Sequence, residues 1–265
     1  MARKSLKEER LGEVNISNEG YKMKIIEYNG RDDIIVEFQD EYKAKVHTGY
    51  GKFLDNGVKN PYHPRVFGVG YLGQGKYEPY TNGKSTKCYI VWCSMLQWCY
   101  DPYYINKNLT YKDCYVCDEW LCFQNFAKWY YENYYECNGE SMHLDKDILI
   151  KGNKIYSPET CVFVPNNINQ LFVKSNKSRG NYPIGVCWNK NANKFQAYCG
   201  ILDKNGKNKI KYLGLYNTSE EAFLAYKSFK EKYIKEVTDE YKDLIPQKLY
   251  DVLYKYEVEI NDWNR

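Results

Sequence analysis

Residues 142–172 read MHLDKDILIKGNKIYSPETCVFVPNNINQLF, and this stretch decides the fold of the middle of the chain. Its alternating apolar residues predict a strand over residues 143–150. Gly152-Asn153 is a turn signal, a second apolar run predicts a strand over residues 161–164, and a short helix is predicted over residues 166–172. We therefore predict a small unit with the order strand, turn, strand, helix.

The first of these strands carries polar side chains with the spacing of a metal site. Side chains alternate between the two faces of a strand, so His143, Asp145 and Asp147 are expected on one face. In a metal-dependent nuclease, carboxylate oxygens hold a divalent ion, and a histidine or another base activates water. An amide from the start of the helix would complete such a site, and the candidates are Asn166, Asn167 and Asn169.

Two segments of this stretch resemble the HNH endonucleases of phages and mobile elements. They are LDKD (residues 144–147) and YSPETCVFVP (residues 156–165), where that family reads LDRID, a short Gly/Asn turn and YSPENCRW. The upstream segments CDEW (117–120) and FQNFAKW (123–129) are similar to the helical lead-in of the same group. The resemblance implies a ββα-metal fold in which Asp145 binds Mg²⁺ or Mn²⁺ and Asn166 or Asn167 is the last metal ligand.

The chain departs from the HNH pattern at two positions. Lys146 stands where many of these enzymes carry the general-base histidine, and Thr160 stands at the middle asparagine. A lysine accepts a proton at neutral pH only when its pKa is strongly depressed. Three interpretations therefore stay open: His143 replaces the missing base, the site is catalytically degraded, or the hairpin is a packed structural unit with solvated charges. The catalytic candidates are His143, Asp145, Lys146, Asp147 and Thr160.

Two helices are predicted upstream of the hairpin, over residues 89–100 and 118–134, from apolar residues at three- and four-residue steps. The Cys114-Tyr-Val-Cys117 pair between them has the spacing of a structural Zn²⁺ site. A tetrahedral site needs two more ligands, and the chain has no second pair of this kind. Buried reduced thiols are the alternative interpretation of these cysteines.

The C-terminal part of the chain predicts three strands followed by a long helix. The strands are expected over residues 184–188, 194–202 and 209–215, with a turn at Asn205-Gly206. Thr218 or Ser219 is expected to cap a helix that extends to about residue 237, and helical character interrupted at Pro246 follows. This prediction corresponds to a three-stranded sheet with one helix beside it.

This C-terminal region resembles the Apetala/ERF domain. The matching segments are PIGV (183–186), KFQAY (194–198), YLGLY (212–216), EEA (220–222) and AY (225–226), in the order and spacing of that family. The resemblance implies that the sheet lies in the major groove of double-stranded DNA.

The residues themselves are compatible with such a role, because a β-ribbon fits the major groove and lysines can contact phosphates. Alternation places Lys194, Gln196 and Tyr198 on one face of their strand, with Phe195 and Ala197 against the helix. Basic residues that are only solvated are the alternative. The DNA-binding candidates are Trp188, Lys190, Lys194, Gln196, Tyr198, Lys209 and Lys211.

The first 84 residues are predicted to form a small β-rich module with strands over residues 21–28, 33–39 and 42–47. The sequence does not indicate what this module binds. We predict an α+β protein with three parts: the module (1–84), an HNH-like ββα-metal domain (85–175), and an Apetala/ERF-like domain with a helical tail (180–265).

Composition narrows the class of protein. The formal net charge is +4, which permits nucleic-acid binding without requiring it. No apolar run approaches a membrane span, and residues 1–10 lack a signal-peptide core, so we expect a cytoplasmic protein, with its ten cysteines reduced.

The sequence thus predicts a homing-like, DNA-binding HNH endonuclease of a phage or mobile element, without a membrane role. The alternative is an inactive HNH-fold protein. It would act as a DNA-binding regulator, or as a phage inhibitor that binds a host protein or nucleoprotein complex of a defence system.

Overall fold

The computed structural model describes residues 5–172, 182–202 and 208–260. The chain falls into two compact units, Met1–Glu132 and Asn133–Arg265, and both contain helices and strands, as expected for an α+β protein. The division lies inside the segment 85–175 that the sequence assigned to one domain. The three-part organisation stays a prediction.

The first unit begins with strands and continues with helices. Its elements in chain order are α1 (Leu6–Arg10), β1 (Val14–Ile16), β2 (Lys22–Gly30), β3 (Asp33–Phe38), β4 (Lys45–Thr48), α2 (Tyr50–Leu54), β5 (Tyr80–Thr81), β6 (Lys84–Ser85), α3 (Lys87–Tyr100), α4 (Pro102–Lys107), a 3₁₀ turn (Leu109–Tyr111), β7 (Tyr115–Val116), α5 (Asp118–Leu121) and α6 (Phe123–Asn133).

The four strands at the start of the chain form one antiparallel sheet in sequential order. Their buried residues alternate with exposed ones, and Met23, Ile34 and Phe38 pack in the core beneath α2. The three predicted strands are present, although β4 starts three residues later than expected. Asp40 causes this delay, because its Oδ1 atom accepts the backbone N–H groups of Tyr42 and Lys43 and holds them in a turn.

The helix predicted over residues 118–134 is interrupted. It consists of α5 and α6, separated at Cys122, whose backbone is extended. Tyr71 explains the interruption: its backbone N–H donates to the Leu121 carbonyl, and its carbonyl accepts the N–H of Phe123, each at 2.9 Å. A partner distant in sequence therefore overrides the helical periodicity.

The described part of the second unit combines a two-stranded hairpin, a three-stranded sheet and three helices. Its elements in chain order are β8 (Met142–Asp145), β9 (Ile155–Tyr156), β10 (Val162–Pro165), α7 (Asn166–Gln170), β11 (Val186–Asn189), β12 (Lys194–Leu202), β13 (Asn208–Tyr216), α8 (Ser219–Glu240) and α9 (Gln247–Tyr254). The predicted turn at Asn205-Gly206 lies outside the described residues.

Strand β8 pairs antiparallel with β10, and α7 follows β10 directly. The strand predicted over residues 143–150 ends at Asp145. The reason is local, because the Asp145 carboxylate accepts the backbone N–H groups of Asp147 and Ile148 at 2.9 and 2.7 Å. These bonds turn the chain, so the prediction that Asp147 shares a strand face with His143 and Asp145 is wrong.

The three-stranded sheet packs one face on the first half of α8. Val186, Ala197 and Cys199 from the sheet meet Ala222 and Tyr226 from the helix in a buried cluster. The helix begins where the sequence predicts, because the Thr218 side chain accepts the N–H of Glu221 in a capping box. The helix extends three residues beyond its predicted end.

A second cluster joins the hairpin to the C-terminal helices. Val162, Val164 and Ile168 pack with Ile234 of α8 and Leu249 of α9. Residues on both sides of the predicted boundary at 175–180 therefore contribute to one core.

Candidate functional site

The hairpin brings His143 and Asn166 together. The Nε2 atom of His143 lies 3.2 Å from Oδ1 of Asn166 and 3.5 Å from Oγ of Ser141. Strand pairing sets this geometry: His143 is opposite Val164, and the backbone N–H of Asn166 donates to the Ser141 carbonyl at 2.9 Å. The His143 side chain is exposed, so it can meet a ligand from solvent.

Asp145 lies two residues further along β8, on the same strand face as His143. Burial, assisted by the neighbouring charge of Asp147, raises the pKa of the Asp145 carboxyl to about 6. The backbone N–H groups of Ile148 and Asp147 oppose that shift. The Asp145 carboxyl therefore stabilises the turn through Oδ1. Its ionised form is disfavoured, because the carboxylate is largely removed from water.

Lys146 is buried next to the turn that follows β8. Its Nζ atom lies 3.6 Å from the carboxylate of Asp147 and 5.7 Å from the centre of the Tyr156 ring. The residue also accepts a bond from the Asn153 side chain at its carbonyl, at 2.7 Å. These contacts give the Lys146 side chain a structural position beside the turn.

Thr160 also has a structural contact. Its hydroxyl donates to the Ile155 carbonyl at 2.8 Å and lies 3.2 Å from Oγ of Ser157. The side chain therefore braces the connection from β9 to β10.

Asn167 is directed to a different set of partners than Asn166. Its side-chain amide donates to the Tyr241 hydroxyl at 3.1 Å, and its backbone N–H donates to Glu140 at 3.0 Å. The Tyr241 hydroxyl donates to the same Glu140 carboxylate. Burial and this carboxylate raise the pKa of Tyr241. Asn167 thus ties α7 to the end of α8, which leaves Asn166 as the candidate beside His143.

The donor set near His143 is small. Within residues 5–172, 182–202 and 208–260, no group of three or more His, Cys, Asp or Glu side chains could hold a metal ion. Among those residues the Cys114–Cys117 pair is part of no such group, and the Zn²⁺ site stays a prediction. At the hairpin, the ion in question is Mg²⁺. This ion is commonly held by one or two carboxylates, with water and substrate phosphates completing its coordination shell. Asp145 and the Asn166 amide are the oxygen donors on either side of His143 along the hairpin, with Asp145 opposite Val162 and Asn166 directly after Pro165.

The sheet of the second unit presents a second candidate surface, the face of β11–β13 that does not pack on α8. Lys194, Gln196 and Tyr198 lie on this outer face, while Phe195 and Ala197 contribute to the core with α8, as predicted. The Gln196 side chain accepts the amide of Asn189 at 2.8 Å, which fixes its orientation. Lys190 is exposed in the turn after β11.

Three of the predicted DNA-binding residues do not share that outer face. Residues paired directly across neighbouring strands have side chains on the same face. Trp188 pairs with Phe195, Lys209 with Ile201, and Lys211 with Cys199, so all three project on the α8 side. Trp188 stacks edge-on against Phe195 with ring centres 4.9 Å apart.

The outer face also contains residues that the sequence reasoning missed. Tyr212 pairs with Tyr198, Ile210 pairs with Gly200, and Leu215 pairs with Gln196. Ile210 is 77% exposed and Tyr212 is 54% exposed. A β-bulge between Ala197 and Tyr198 shifts the register, so simple alternation along β13 would place Leu215 on the face opposite to Ile210 and Tyr212.

Comparisons of the chain with family models, curated proteins and solved structures found no match. Among the described residues, none of the helices is long and apolar enough to cross a membrane.

Proposed function

We propose that this protein is a DNA-binding endonuclease of the HNH type that hydrolyses phosphodiester bonds with the aid of Mg²⁺ or Mn²⁺. The observation that carries the proposal is the 3.2 Å approach of His143 Nε2 to Asn166 Oδ1, with Asp145 on the same strand face. The setting we propose is homing-like activity of a phage or mobile element in the bacterial cytoplasm.

Each residue has a distinct role in this proposal. His143 is exposed and takes a proton from the attacking water through a ring nitrogen. Asp145 and Asn166 would hold the divalent ion, which supplies charge stabilisation at the scissile phosphate. Asn166 also orients the imidazole, because its amide oxygen lies within hydrogen-bond distance of Nε2. Lys146 and Thr160 support the fold around these groups.

The sheet of the second unit would bring double-stranded DNA to the hairpin. Lys194 offers a phosphate contact, and Gln196 offers amide groups that can read base edges. Both lie on the outer face with Tyr198. The prediction is restricted to these residues and Lys190, because Trp188, Lys209 and Lys211 project toward α8.

A supercoiled-plasmid assay with Mg²⁺ or Mn²⁺ tests the nuclease. We expect nicking by the full chain and its loss in His143→Ala and in Asp145→Asn. His47→Ala is the matched control, because His47 is an exposed strand histidine paired with Asp33 at 2.8 Å in the other unit. Nicking that survives in both site variants, or that is absent in the unchanged protein, would remove the proposal.

An inactive HNH-fold protein is the second candidate. Asp145 and Lys146 favour it, since the first caps a turn and the second is buried against Asp147 and Tyr156. Such a protein would act by binding, either as a DNA-binding regulator or as a phage inhibitor of a host defence complex. A DNA mobility shift without nicking would select the regulator. Neither DNA binding nor nicking, together with binding to a purified host nucleoprotein complex, would select the inhibitor.

A further inference from the structure

The first unit contains a pocket that the proposed nuclease does not use. It has a volume of about 430 Å³ and opens beside the turn that follows β3. Four tyrosines and two acids contribute to its lining: Tyr21, Tyr42, Tyr62, Tyr71, Asp40 and Glu41. Among the residues that the structure describes, no lysine or arginine lines it, so both charged side chains in the lining are acidic.

The rings form a compact aromatic cluster. Tyr42 and Tyr62 are stacked with centres 4.1 Å apart and planes within 3° of parallel. Tyr71 is tilted against both, at 5.8 Å from Tyr62 and 6.4 Å from Tyr42. Tyr42 is 48% exposed even though one of its faces is stacked, so part of the ring remains available to a ligand.

A buried asparagine holds two of these rings in place. The Asn60 side chain donates to Asp40 Oδ2 at 2.6 Å and accepts the backbone N–H of Tyr62 at 2.9 Å. Asp40 in turn accepts the backbone N–H of Tyr42 at 3.2 Å. One fully buried residue therefore connects the loops that carry the stacked pair, which makes the pocket a fixed part of the fold.

The charged side chains around the pocket differ in how many hydrogen-bond partners they have. Asp40 accepts three hydrogen bonds within the fold. Arg65, in the adjacent loop, is paired with Glu19. Glu41 is exposed and has no hydrogen bond or ion pair within the part of the chain that the structure describes. The pocket thus combines aromatic rings with one carboxylate that is available to a ligand.

Burial raises the pKa of Tyr71 to about 12, with contributions from Cys122 and Tyr42. The Tyr71 hydroxyl therefore stays protonated at neutral pH and adds a hydrogen-bonding group without adding charge. The rings attract a cation through their faces, and this attraction increases when the cation is partly desolvated.

We propose that this pocket binds the arginine side chain of a partner polypeptide. A planar guanidinium stacks on tyrosine rings and donates to a carboxylate, which matches the lining better than a neutral or acidic group. The volume exceeds that of one side chain, so it accommodates the neighbouring backbone of a bound segment. The site belongs to the first unit and does not depend on the nuclease proposal.

NMR titration of the isotope-labelled full chain tests this site, with N-acetyl-arginine amide as the probe and N-acetyl-citrulline amide as its neutral isostere. We expect saturable shifts of the backbone signals of Glu41, Tyr42 and Tyr62 with the arginine probe, in the millimolar range. We expect the citrulline probe to bind at least fivefold more weakly. Equal binding of the two probes, or no saturable shift with the arginine probe, would overturn the proposal.

Conservative variants separate recognition from folding. Glu41→Gln is expected to weaken binding by threefold or more, whereas the exposed control Glu27→Gln leaves it unchanged. Tyr42→Leu is expected to weaken binding by fivefold or more, and Tyr42→Phe to retain it within twofold, because the ring face is kept. Loss of binding in Glu27→Gln, or full binding in both Glu41→Gln and Tyr42→Leu, would contradict the site.

The source of the guanidinium is tested with a capped pentapeptide that has arginine at its centre. We expect it to bind at least fivefold more tightly than the single capped residue, because the pocket also accepts adjoining backbone. Equal affinities would exclude a polypeptide partner and indicate a free guanidinium compound instead.

Discussion

The Oδ1 atom of Asp145 lies 2.7 Å from the backbone nitrogen of Ile148, whose N–H it accepts. The same carboxylate is the candidate metal ligand, so one group serves both the turn and the proposed chemistry. The two roles can be separated, because an asparagine retains the accepting oxygen and removes the charge.

Asp145→Asn is expected to stabilise the fold at neutral pH. The pKa of Asp145 is raised from 3.8 to about 6. The stability that protonation provides is therefore fully present below pH 4 and is lost as the pH rises through 6. Two pKa units correspond to at most about 3 kcal/mol. Denaturant unfolding at pH 7.5 should show the variant to be more stable, with a smaller difference near pH 4.

Asp243→Asn is the control for this measurement, because Asp243 is an exposed acid of the same unit. It should leave the unfolding free energy unchanged. If Asp145→Asn destabilises the protein at pH 7.5, the ionised carboxylate contributes to the fold more than its burial costs.

Lys194 and Lys211 are expected to differ in DNA binding, provided that the sheet docks on DNA as proposed. Lys194 lies on the outer face, whereas Lys211 pairs with the buried Cys199. Lys194→Ala should weaken binding and reduce the salt slope of the affinity by about 1. Lys211→Ala should change neither quantity. Fluorescence anisotropy at several salt concentrations measures both, and an equal loss in the two variants would contradict the assignment of faces.

Gly185 is expected to tolerate no side chain. Its φ is +77°, and an added Cβ would lie 2.1 Å from the ring of Tyr226 on α8. Gly185→Ala should therefore destabilise the second unit by more than about 3 kcal/mol. Gly200→Ala is the matched control, since an added Cβ there meets nothing within 4 Å, and it should change stability by less than about 1 kcal/mol. Thermal or denaturant unfolding of both variants decides the comparison.

Lys230→Met is expected to stabilise the protein. Lys230 is 8% exposed in the middle of α8, and burial lowers the pKa of its ammonium group. The charged form therefore reduces stability at neutral pH, and that cost is relieved as the pH rises through the lowered pKa. Replacement by methionine should raise the unfolding free energy by about 1 kcal/mol at pH 7.

Lys232→Met is the control for Lys230→Met, because the Lys232 side chain is 77% exposed two residues away on the same helix. Its effect on the unfolding free energy should be negligible. A destabilised Lys230→Met variant would show that the buried ammonium group contributes more through its contacts than it costs through desolvation.

The sequence predicts the local elements well where periodicity is strong. Strand β12 has the predicted bounds, because apolar residues alternate along its whole length. Helix α8 starts at its predicted cap, because the Thr218 capping box depends only on residues three positions apart. Residues close together in the sequence therefore determine both features.

Long-range contacts explain what the sequence does not predict. The break at Cys122 requires the Tyr71 backbone, and the orientation of Trp188 requires its pairing with Phe195. Asn166 lies beside His143, whereas Asn167 does not, because the Asn167 amide donates to Tyr241 at the end of α8. The pocket of the first unit likewise joins loops through Asn60, which no local pattern indicates.

The core shared by Val162, Ile168, Ile234 and Leu249 limits how this protein can be divided. The hairpin with the candidate site and the helix that supports the sheet bury their apolar faces on each other. A fragment that ends before α8 would leave the hairpin with an uncovered hydrophobic surface. We therefore expect the hairpin and the C-terminal helices to unfold together, in one cooperative transition.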